Sequence, residues 1–280
     1  MNYKMLLCDI DGTLRPFPEP RVPRANAEAV QAVQSHGVKF VISTGRSRMA
    51  IPEEMLNGIQ PDYWICAAGA QVLRGDGTEL AIRRMPLAPL KPLIAFCKER
   101  SLPLRLAFSD GIYAYSGYEP LLAWLRERDI KWPLFNGENH RRHLTELPFA
   151  VNGILPEAAA REFNCLYPEA GLRFLYIKGD HCDILWQGLS KAEGLKTLLE
   201  KCNLSAEECV SVGDSGNDAE LLMAAGMSYC VADGAPQAQA AAKRICPAAE
   251  SLGVAAVCRE LWPEAFGMIE VSADGKEKAR

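Results

Sequence analysis

The feature that most constrains the fold is the segment Met5 to Ile10, a run that is apolar apart from one aspartate. A short and nearly continuous apolar run is typical of a β-strand that is buried on both faces, as in a parallel sheet covered by helices. Helical spacing follows over residues 24–36, and strand-like runs follow at 39–43 and 63–66. Strand and helix therefore alternate, and we predict an α/β fold with a Rossmann-like parallel-sheet core.

The middle of the chain follows a different pattern. Residues 86–183 alternate helical stretches with short β runs, which is typical of a separate α+β module. After this module helix and strand alternate again, with helices predicted at 190–201 and 217–225 and strands predicted at 209–212 and 228–231. We therefore predict a core domain formed by 1–85 and 184–280, with a cap domain at 86–183 inserted into it.

The composition argues against several classes of partner. A formal net charge of −4 leaves no excess of Lys and Arg to neutralise a nucleic-acid backbone. The 10 cysteines show no CxxC spacing, so we interpret them as small buried hydrophobes. No apolar stretch approaches the roughly 20 residues that span a bilayer, and no signal-peptide core follows the first residues. We expect a soluble cytoplasmic protein with no nucleic-acid or membrane partner.

Asp9 and Asp11 form an acidic pair at the end of the first predicted strand. Side chains two residues apart on a strand point the same way, and ligands bind beyond the carboxyl ends of the strands in an open parallel sheet. Asp9 can attack a phosphorus atom, while Asp11 donates a proton to the leaving oxygen and later accepts one from water. Because a phosphoryl group adds negative charge to an acidic site, we expect Mg²⁺ as the cofactor.

A second acidic motif, Gly213 to Asp218, follows the predicted strand at 209–212. Asp214 can complete the metal site at the end of that strand. Asn217 and Asp218 can orient Asp214, a metal-bound water or a lysine. The alternative for Asn217 and Asp218 is an ordinary helix N-cap and first-turn acid.

Two further segments provide groups that suit a phosphate. Thr44-Gly45-Arg46 offers a hydroxyl and backbone N–H groups close to a predicted helix start. Lys191 stands in a first helical turn, where negative side chains are usual, so its positive charge indicates an anionic partner. A solvated surface lysine is the alternative. All these motifs fall at one edge of the predicted sheet, as catalytic groups do.

With these motifs the chain resembles the haloacid dehalogenase superfamily and, within it, the Cof-type phosphatases of subfamily IIB. The resemblance covers nearly the whole length and implies an inserted α/β cap of the C2B type that closes over the substrate. It implies that Asp9 is the nucleophile and Asp11 the general acid/base, and that Thr44 and Lys191 bind and neutralise the phosphate. It also implies that Asp214 joins Asp9 and the backbone carbonyl of Asp11 as a metal ligand.

The predicted site combines the motifs with this resemblance. The predicted catalytic residues are Asp9 and Asp11. The predicted metal-binding residues are Asp9, Asp11, Asp214 and Asp218. The predicted substrate-binding residues are Thr44, Gly45, Arg46, Lys191 and Asn217. One departure concerns the third strand, after which the family often has Asn-Gly-Ala while this chain reads Ala67-Ala68-Gly69-Ala70. Any contact that the asparagine makes is absent here.

The predicted function is a Mg²⁺-dependent phosphohydrolase that acts on a small phosphorylated metabolite, such as a sugar phosphate. A phosphomutase of the phosphomannomutase type and a non-catalytic phosphometabolite-binding protein stay open as alternatives, whereas the P-loop spacing of nucleotide-binding proteins is absent from the sequence.

The run His140-Arg141-Arg142-His143 can bind an anion, although we favour a solvated face. Trp124, Trp132 and Trp186 can stack on a ligand, although we favour core packing.

Overall fold

The computed structural model describes residues 3–127, 130 and 132–267. Its strands are β1 (Met5–Cys8), β2 (Lys39–Ser43), β3 (Tyr63–Cys66), β4 (Gln71–Arg74), β5 (Glu79–Ile82), β6 (Leu104–Phe108), β7 (Gly111–Ser116), β8 (Leu134–Asn136), β9 (Ala150–Ile154), β10 (Arg173–Lys178), β11 (His181–Leu185), β12 (Cys209–Gly213), β13 (Met227–Val231) and β14 (Arg244–Cys246). Its α-helices are α1 (Arg24–Ser35), α2 (Leu87–Glu99), α3 (Tyr118–Glu127), α4 (Glu157–Leu166), α5 (Lys191–Cys202), α6 (Ala219–Ala224), α7 (Pro236–Ala241) and α8 (Gly253–Leu261). The polar segment 272–280, which we expect to be a frayed terminus, lies outside the described residues.

The chain divides into two compact units. Unit 1 consists of the described residues within Met1–Ile42, Glu53–Asp62 and Ser205–Arg280. Unit 2 consists of the described residues within Ser43–Pro52 and Tyr63–Leu204, and it contains the whole predicted cap. The boundaries that we predict between a core and a cap domain stay a prediction.

Unit 1 is built on parallel strands in the order β14-β13-β12-β1-β2. All four residues of β1 are buried, as the apolar run at 5–10 predicts for a strand between parallel neighbours. The fully buried Asn26 of α1 ties the helices to the loop after β1, because it donates to the carbonyl of Leu14 at 3.0 Å and accepts from the amide of Ala255 at 3.0 Å. The predicted parallel α/β arrangement is confirmed here.

Unit 2 contains the antiparallel strands β3, β4 and β5, with the hairpin turn at Gly77 in a left-handed conformation. It also contains a six-stranded sheet in the order β10-β11-β9-β6-β7-β8, antiparallel except for the pair β7 and β8. The hydrophobic core of unit 2 contains aromatic as well as aliphatic residues, and Phe163 contacts Phe96 edge to face with a centroid distance of 5.3 Å.

Several local predictions are confirmed. The strands predicted at 39–43 and 63–66 are β2 and β3 to the residue. The helix predicted at 190–201 is α5, and its N-cap Ser190 accepts a hydrogen bond from the amide of Glu193 at 3.3 Å. The cysteines are free, and all but Cys165 and Cys202 are buried. Among the described residues, every helix is too short or too polar to cross a membrane.

The helix predicted at 217–225 is corrected in its first turn. Residues 216–218 form a 3-10 turn, and α6 begins only at Ala219. The reason is a capping box at the start of the turn, in which Ser215 and Asp218 hydrogen-bond to each other's backbone amides. This short irregular segment carries the acidic motif.

Candidate active site

The loop after β1 projects Asp9 beyond the end of the strand. The amide of Asp9 donates to the carbonyl of Val212 at 3.0 Å, which extends the pairing of β1 with β12 by one residue. Gly12 then adopts a φ of +93°, a value at which glycine alone is unstrained. The chain closes back on itself when the amide of Arg15 donates to the carbonyl of Ile10 at 2.8 Å. These backbone bonds hold the acidic loop in one conformation.

The loop after β12 is organised by the carboxylate of Asp218. Its Oδ2 accepts from the amides of Asp214 at 3.2 Å and Ser215 at 3.1 Å, and from the Ser215 hydroxyl at 3.2 Å. The Ser215 hydroxyl also lies 2.9 Å from Oδ1 of Asn217. Asp218 is therefore a capping residue and also orients the Asp214 segment, so the two interpretations of this acid are compatible.

Asp9, Asp214 and Asp218 bring their carboxylates together in unit 1. One oxygen of each lies within 4.8 Å of the others. Asp9 is 6% exposed and Asp218 is fully buried, whereas Asp214 is partly exposed. The negative charges of Asp214 and Asp218 act with burial to raise the pKa of Cys230 to about 12. Carboxylates that crowd in this way repel one another unless a cation offsets them.

The donor set of this cluster fits Mg²⁺. Hard carboxylate oxygens are the ligands that Mg²⁺ takes from proteins, and the ion keeps several further positions for water or phosphate oxygens. The hydroxyl of Thr13 donates to Oδ1 of Asp214 at 2.8 Å and orients that carboxylate. A Cβ atom on Gly12 would lie 2.6 Å from Oδ2 of Asp214, so the glycine is required for the close approach of the two loops.

Asp11 has a different environment from the three clustered acids. Its carboxylate is ion-paired with Arg15, which is 6% exposed and also donates to the carbonyl of Glu19. The predicted metal contact of Asp11, through its backbone carbonyl, stays a prediction. Arg15 is not among the site residues predicted from the sequence. The signal was its position four residues after Asp11, within a loop that turns at Gly12.

Thr44, Gly45 and Arg46 lie in unit 2, at the turn that follows β2, where Thr44 is buried and Gly45 and Arg46 are partly exposed. Thr44 is 2% exposed, and its hydroxyl accepts a hydrogen bond from the amide of Arg46 at 3.2 Å. The carbonyl of Thr44 accepts from the amide of Ala68 at 3.0 Å. Ala68 has a φ of +52°, the left-handed conformation that Asn and Gly tolerate best. The residue in which this chain departs from the family pattern is therefore placed directly against the predicted phosphate-binding segment.

Lys191 begins α5 and is 1% exposed, which excludes the alternative of a solvated surface lysine. A buried ammonium group is costly unless negative charge lies close to it. Burial raises the pKa of the Asp183 carboxyl group, and the positive charge of Lys191 acts to lower it. Lys191 is thus an interior cation, which fits its predicted role as a charge-neutralising residue. That role stays a prediction.

The basic run at 140–143 takes part in structural contacts. Arg142 pairs with Asp110 at 2.8 Å and with Glu146 at 2.5 Å. His143 approaches the hydroxyl of Tyr115 at 3.2 Å, and burial lowers the pKa of its imidazole. Because Arg142 is ion-paired with two acids, the run is neither a free anion-binding site nor a face that contacts only solvent.

The three tryptophans have different surroundings. Trp186 is 7% exposed and belongs to the hydrophobic core of unit 2, as we expect for core packing. Trp132 packs against the same core. Trp124 lies half-buried with its ring centroid 4.6 Å from that of His181.

Asn152 and Asp183 line a pocket in unit 2, and neither is among the residues predicted from the sequence. Asp183 is 3% exposed, and burial raises its pKa from 3.8 to about 6. Gly45 and Ala68 line the same pocket, so it adjoins the predicted phosphate-binding segment. The available signal was an acid inside the short apolar run Cys182 to Leu185. A perturbed acid in a concave site is a candidate functional group.

The chain is similar to known proteins over most of its length. Residues 6–257 match the family model described as haloacid dehalogenase-like hydrolase. A chloroplastic endoribonuclease YBEY of Arabidopsis thaliana is 25% identical over 91% of this chain and 46% of its own length, so the chain spans about half of that relative. A 5-amino-6-(5-phospho-D-ribitylamino)uracil phosphatase of Escherichia coli is 22% identical over 87% of this chain and 90% of its own length. A solved sugar phosphatase of haloacid dehalogenase subclass IIB has a TM-score of 0.81 at 22% identity, covering 95% of this chain and 100% of its own. The predicted α/β fold of this superfamily is confirmed.

Proposed function

We propose that this chain, which belongs to the haloacid dehalogenase-like hydrolase family, is a Mg²⁺-dependent phosphohydrolase that acts on a small phosphorylated metabolite through an aspartyl-phosphate on Asp9. The observation that carries the proposal is the approach of the Asp9, Asp214 and Asp218 carboxylates to within 4.8 Å of one another. They stand at the ends of the adjacent parallel strands β1 and β12, where ligands of open parallel sheets bind. The names of the E. coli relative and of the solved sugar phosphatase also support a small phosphate ester as substrate.

In the first step, an oxygen of Asp9 forms a bond to phosphorus and the bond from phosphorus to the ester oxygen breaks. Asp11 gives a proton to the leaving oxygen, which departs as an alcohol. In the second step, the oxygen of a water molecule forms a bond to phosphorus and Asp11 takes a proton from that water. The bond from the Asp9 oxygen to phosphorus breaks, which releases inorganic phosphate and restores the Asp9 carboxylate. Arg15 holds Asp11 in one orientation between the two steps.

Asp9, Asp214 and Asp218 would hold the Mg²⁺ ion, with the predicted contribution of the Asp11 backbone. The ion supplies positive charge that offsets the carboxylates and the phosphoryl oxygens. Asp218 acts on this set by fixing the backbone of Asp214, and Thr13 does so by donating to its side chain.

The substrate phosphate needs further positive and hydrogen-bonding groups. Lys191 is a fully buried cation, so it suits a dianionic group that enters with little of its water. The Thr44 hydroxyl and the Gly45 amide provide donors at a partly buried turn, where the amide of Arg46 holds the Thr44 hydroxyl, and Asn217 provides an amide at the metal-binding loop. We assign these five residues to phosphate recognition.

The test compares phosphate release from para-nitrophenyl phosphate by the wild type, Asp9→Asn and Asp76→Asn, each with Mg²⁺ and with EDTA. Asp76 is a matched control, because it is a turn carboxylate that accepts from the amide of Thr78 at 2.9 Å. We expect EDTA to abolish turnover and Asp9→Asn to reduce kcat by at least about 10³-fold, with Asp76→Asn within about twofold of the wild type. Beryllofluoride with Mg²⁺ should raise the melting temperature of the wild type and of Asp76→Asn only.

The proposal fails if the wild type releases phosphate equally well in EDTA. It fails also if Asp9→Asn folds normally and retains its turnover. A protein that hydrolyses no phosphate ester would favour the non-catalytic alternative.

A further inference from the structure

The tight loop after β1 places Arg15 beside Asp11 within unit 1. The amide of Gly12 donates to the carbonyl of Arg15 at 2.9 Å, and the amide of Arg15 donates to the carbonyl of Ile10 at 2.8 Å. These two backbone bonds bring positions 11 and 15 next to each other. An arginine at position 15 therefore reaches the Asp11 carboxylate from within the same loop.

The guanidinium of Arg15 is held by three contacts. Nη2 donates to Oδ1 of Asp11, and Nη1 donates to the backbone carbonyl of Glu19. The ring of Phe17 lies against the guanidinium, with 5.3 Å between Cζ of Arg15 and the ring centroid. Because a guanidinium is planar and carries its donors in a rigid fork, contacts at two nitrogens and one face fix its position. Arg15 therefore ties the Asp11 carboxylate to the loop at 17–19.

The ion pair is shielded on its basic side and open on its acidic side. The Arg15 side chain is 8% exposed, whereas the Asp11 side chain is 19% exposed. A cation that is withdrawn from solvent is screened less by salt than one on the surface. The carboxylate still reaches solvent, as it must if it exchanges a proton with a substrate or with water. The arrangement thus suits a carboxylate that is held in place and still able to react.

The contact with Arg15 makes the two oxygens of Asp11 unequal. A guanidinium stays protonated in proteins and only donates, so Oδ1 has the role of an acceptor. A proton on Oδ1 would face the N–H group of Arg15 and remove this charge-assisted hydrogen bond. The oxygen that suits a transferred proton is therefore Oδ2.

We propose that Arg15 is a positioning residue that keeps Oδ1 of Asp11 as an acceptor and presents Oδ2 for proton transfer. When the ester bond breaks, the proton moves from Oδ2 to the leaving oxygen, which departs as an alcohol. When water attacks the aspartyl-phosphate, Oδ2 takes a proton from that water. Arg15 keeps its own protons in both steps. This inference rests on the proposed phosphohydrolase function and assigns the proton of that reaction to one atom.

The experiment compares kcat/KM for phenyl phosphate and para-nitrophenyl phosphate. The two esters are similar in shape, but the nitro group stabilises the departing phenolate, so para-nitrophenyl phosphate depends less on a proton from Asp11. Both esters give the same aspartyl-phosphate, so a difference in kcat/KM between them arises in the first step. A purely structural role of Arg15 predicts equal losses for the two esters.

We expect Arg15→Met to lower kcat/KM about 10²-fold for phenyl phosphate and less than about tenfold for para-nitrophenyl phosphate. The loss for phenyl phosphate should lie in kcat, with KM within about threefold of the wild type, because Arg15 acts on the proton and not on phosphate binding. The retained turnover of para-nitrophenyl phosphate reports on folding.

Two further variants complete the design. Arg15→Lys keeps the charge but has a single ammonium group, which cannot hold the carboxylate and the Glu19 carbonyl in one fixed geometry, so phenyl phosphate should still lose at least about fivefold more than para-nitrophenyl phosphate. Arg24→Met is the matched control, because Arg24 belongs to the same unit and pairs with Glu28, four residues along, at 2.7 Å on an exposed face. It should keep the wild-type ratio.

The outcomes separate the two proposals. Hydrolysis of neither ester by the wild type overturns the phosphohydrolase function itself. Equal losses for both esters in Arg15→Met and Arg15→Lys leave that function standing and overturn the positioning role. Full recovery of the wild-type ratio in Arg15→Lys overturns it as well, because a positive charge alone is then sufficient. If Arg15→Met does not fold, Arg15→Lys decides between these outcomes.

Discussion

Replacing Asp183 with asparagine should stabilise the folded protein at pH 8. Burial raises the pKa of this carboxyl group from 3.8 to about 6, even though Arg105, Asn152 and Lys191 all act to lower it. The two values differ by about 2, and each whole pKa step corresponds to ~1.4 kcal/mol. The ionised carboxylate therefore costs the folded state on the order of 3 kcal/mol relative to its protonated form.

The pH dependence follows from the direction of the shift. The folded state binds the Asp183 proton more tightly than the unfolded state does, so wild-type stability falls as pH rises from about 4 to about 6 and stays reduced above that window. The amide of asparagine does not titrate and still provides an oxygen for the bond from Asn152. The gain from Asp183→Asn should thus be about 3 kcal/mol at pH 8 and close to zero at pH 4.

Urea unfolding in EDTA at both pH values measures these free energies without a contribution from bound metal. Asp110→Asn serves as the control, because the exposed ion pair that it removes contributes at most about 1 kcal/mol. A loss of stability in Asp183→Asn at pH 8 would refute the reasoning, and so would an equal gain at pH 4 and pH 8. A confirmed gain would mean that the chain retains a destabilising charge at its pocket, as functional sites do.

Three other changes test the structure. Gly12→Ala places a Cβ 2.6 Å from Asp214, so Mg²⁺-dependent turnover should fall at least about 10²-fold in a steady-state assay, and normal activity would contradict the packing of the two loops. Ser190→Ala removes the acceptor for the amide of Glu193 and should lower the free energy of unfolding by about 1 kcal/mol in urea titrations, where no change would mean that the cap is not needed. Asp218→Ala should raise the Mg²⁺ concentration for half-maximal activity about 10- to 100-fold, and an unchanged titration would exclude Asp218 from the metal site.

The parallel core was predictable from the sequence because its strands are buried on both faces. β2 of this core is a short apolar run with clear ends, as is β3 in unit 2, so the bounds of both strands could be predicted from the sequence. The acidic motifs were predictable for a related reason, since charged residues directly after such runs are conspicuous. The sequence also predicts that these motifs meet at one edge of the sheet, whereas the individual contacts, such as that between Thr13 and Asp214 across 201 residues, are visible only in the structure.

The strands of the pocket were harder to predict. β9 reads Ala-Val-Asn-Gly-Ile, and the polar Asn152 and flexible Gly153 interrupt both the apolar run and the alternation that indicate a strand. In β11, Asp183 interrupts an apolar run in the same way. Both residues line a pocket, where a polar side chain takes the place of an apolar one. A polar residue inside a strand thus weakens the sequence pattern from which that strand would be predicted.

The hydrogen bonds that Asp218 accepts from the backbone of Asp214 and Ser215 have a consequence for how cations are received. Because folding of this turn already holds the Asp214 segment, a Mg²⁺ ion at the proposed site would meet ligands that need little further ordering. Ca²⁺ takes more ligands at longer distances than Mg²⁺ does. We therefore expect Ca²⁺ to bind the same carboxylates more weakly, because the turn that begins the helix limits how far they can separate.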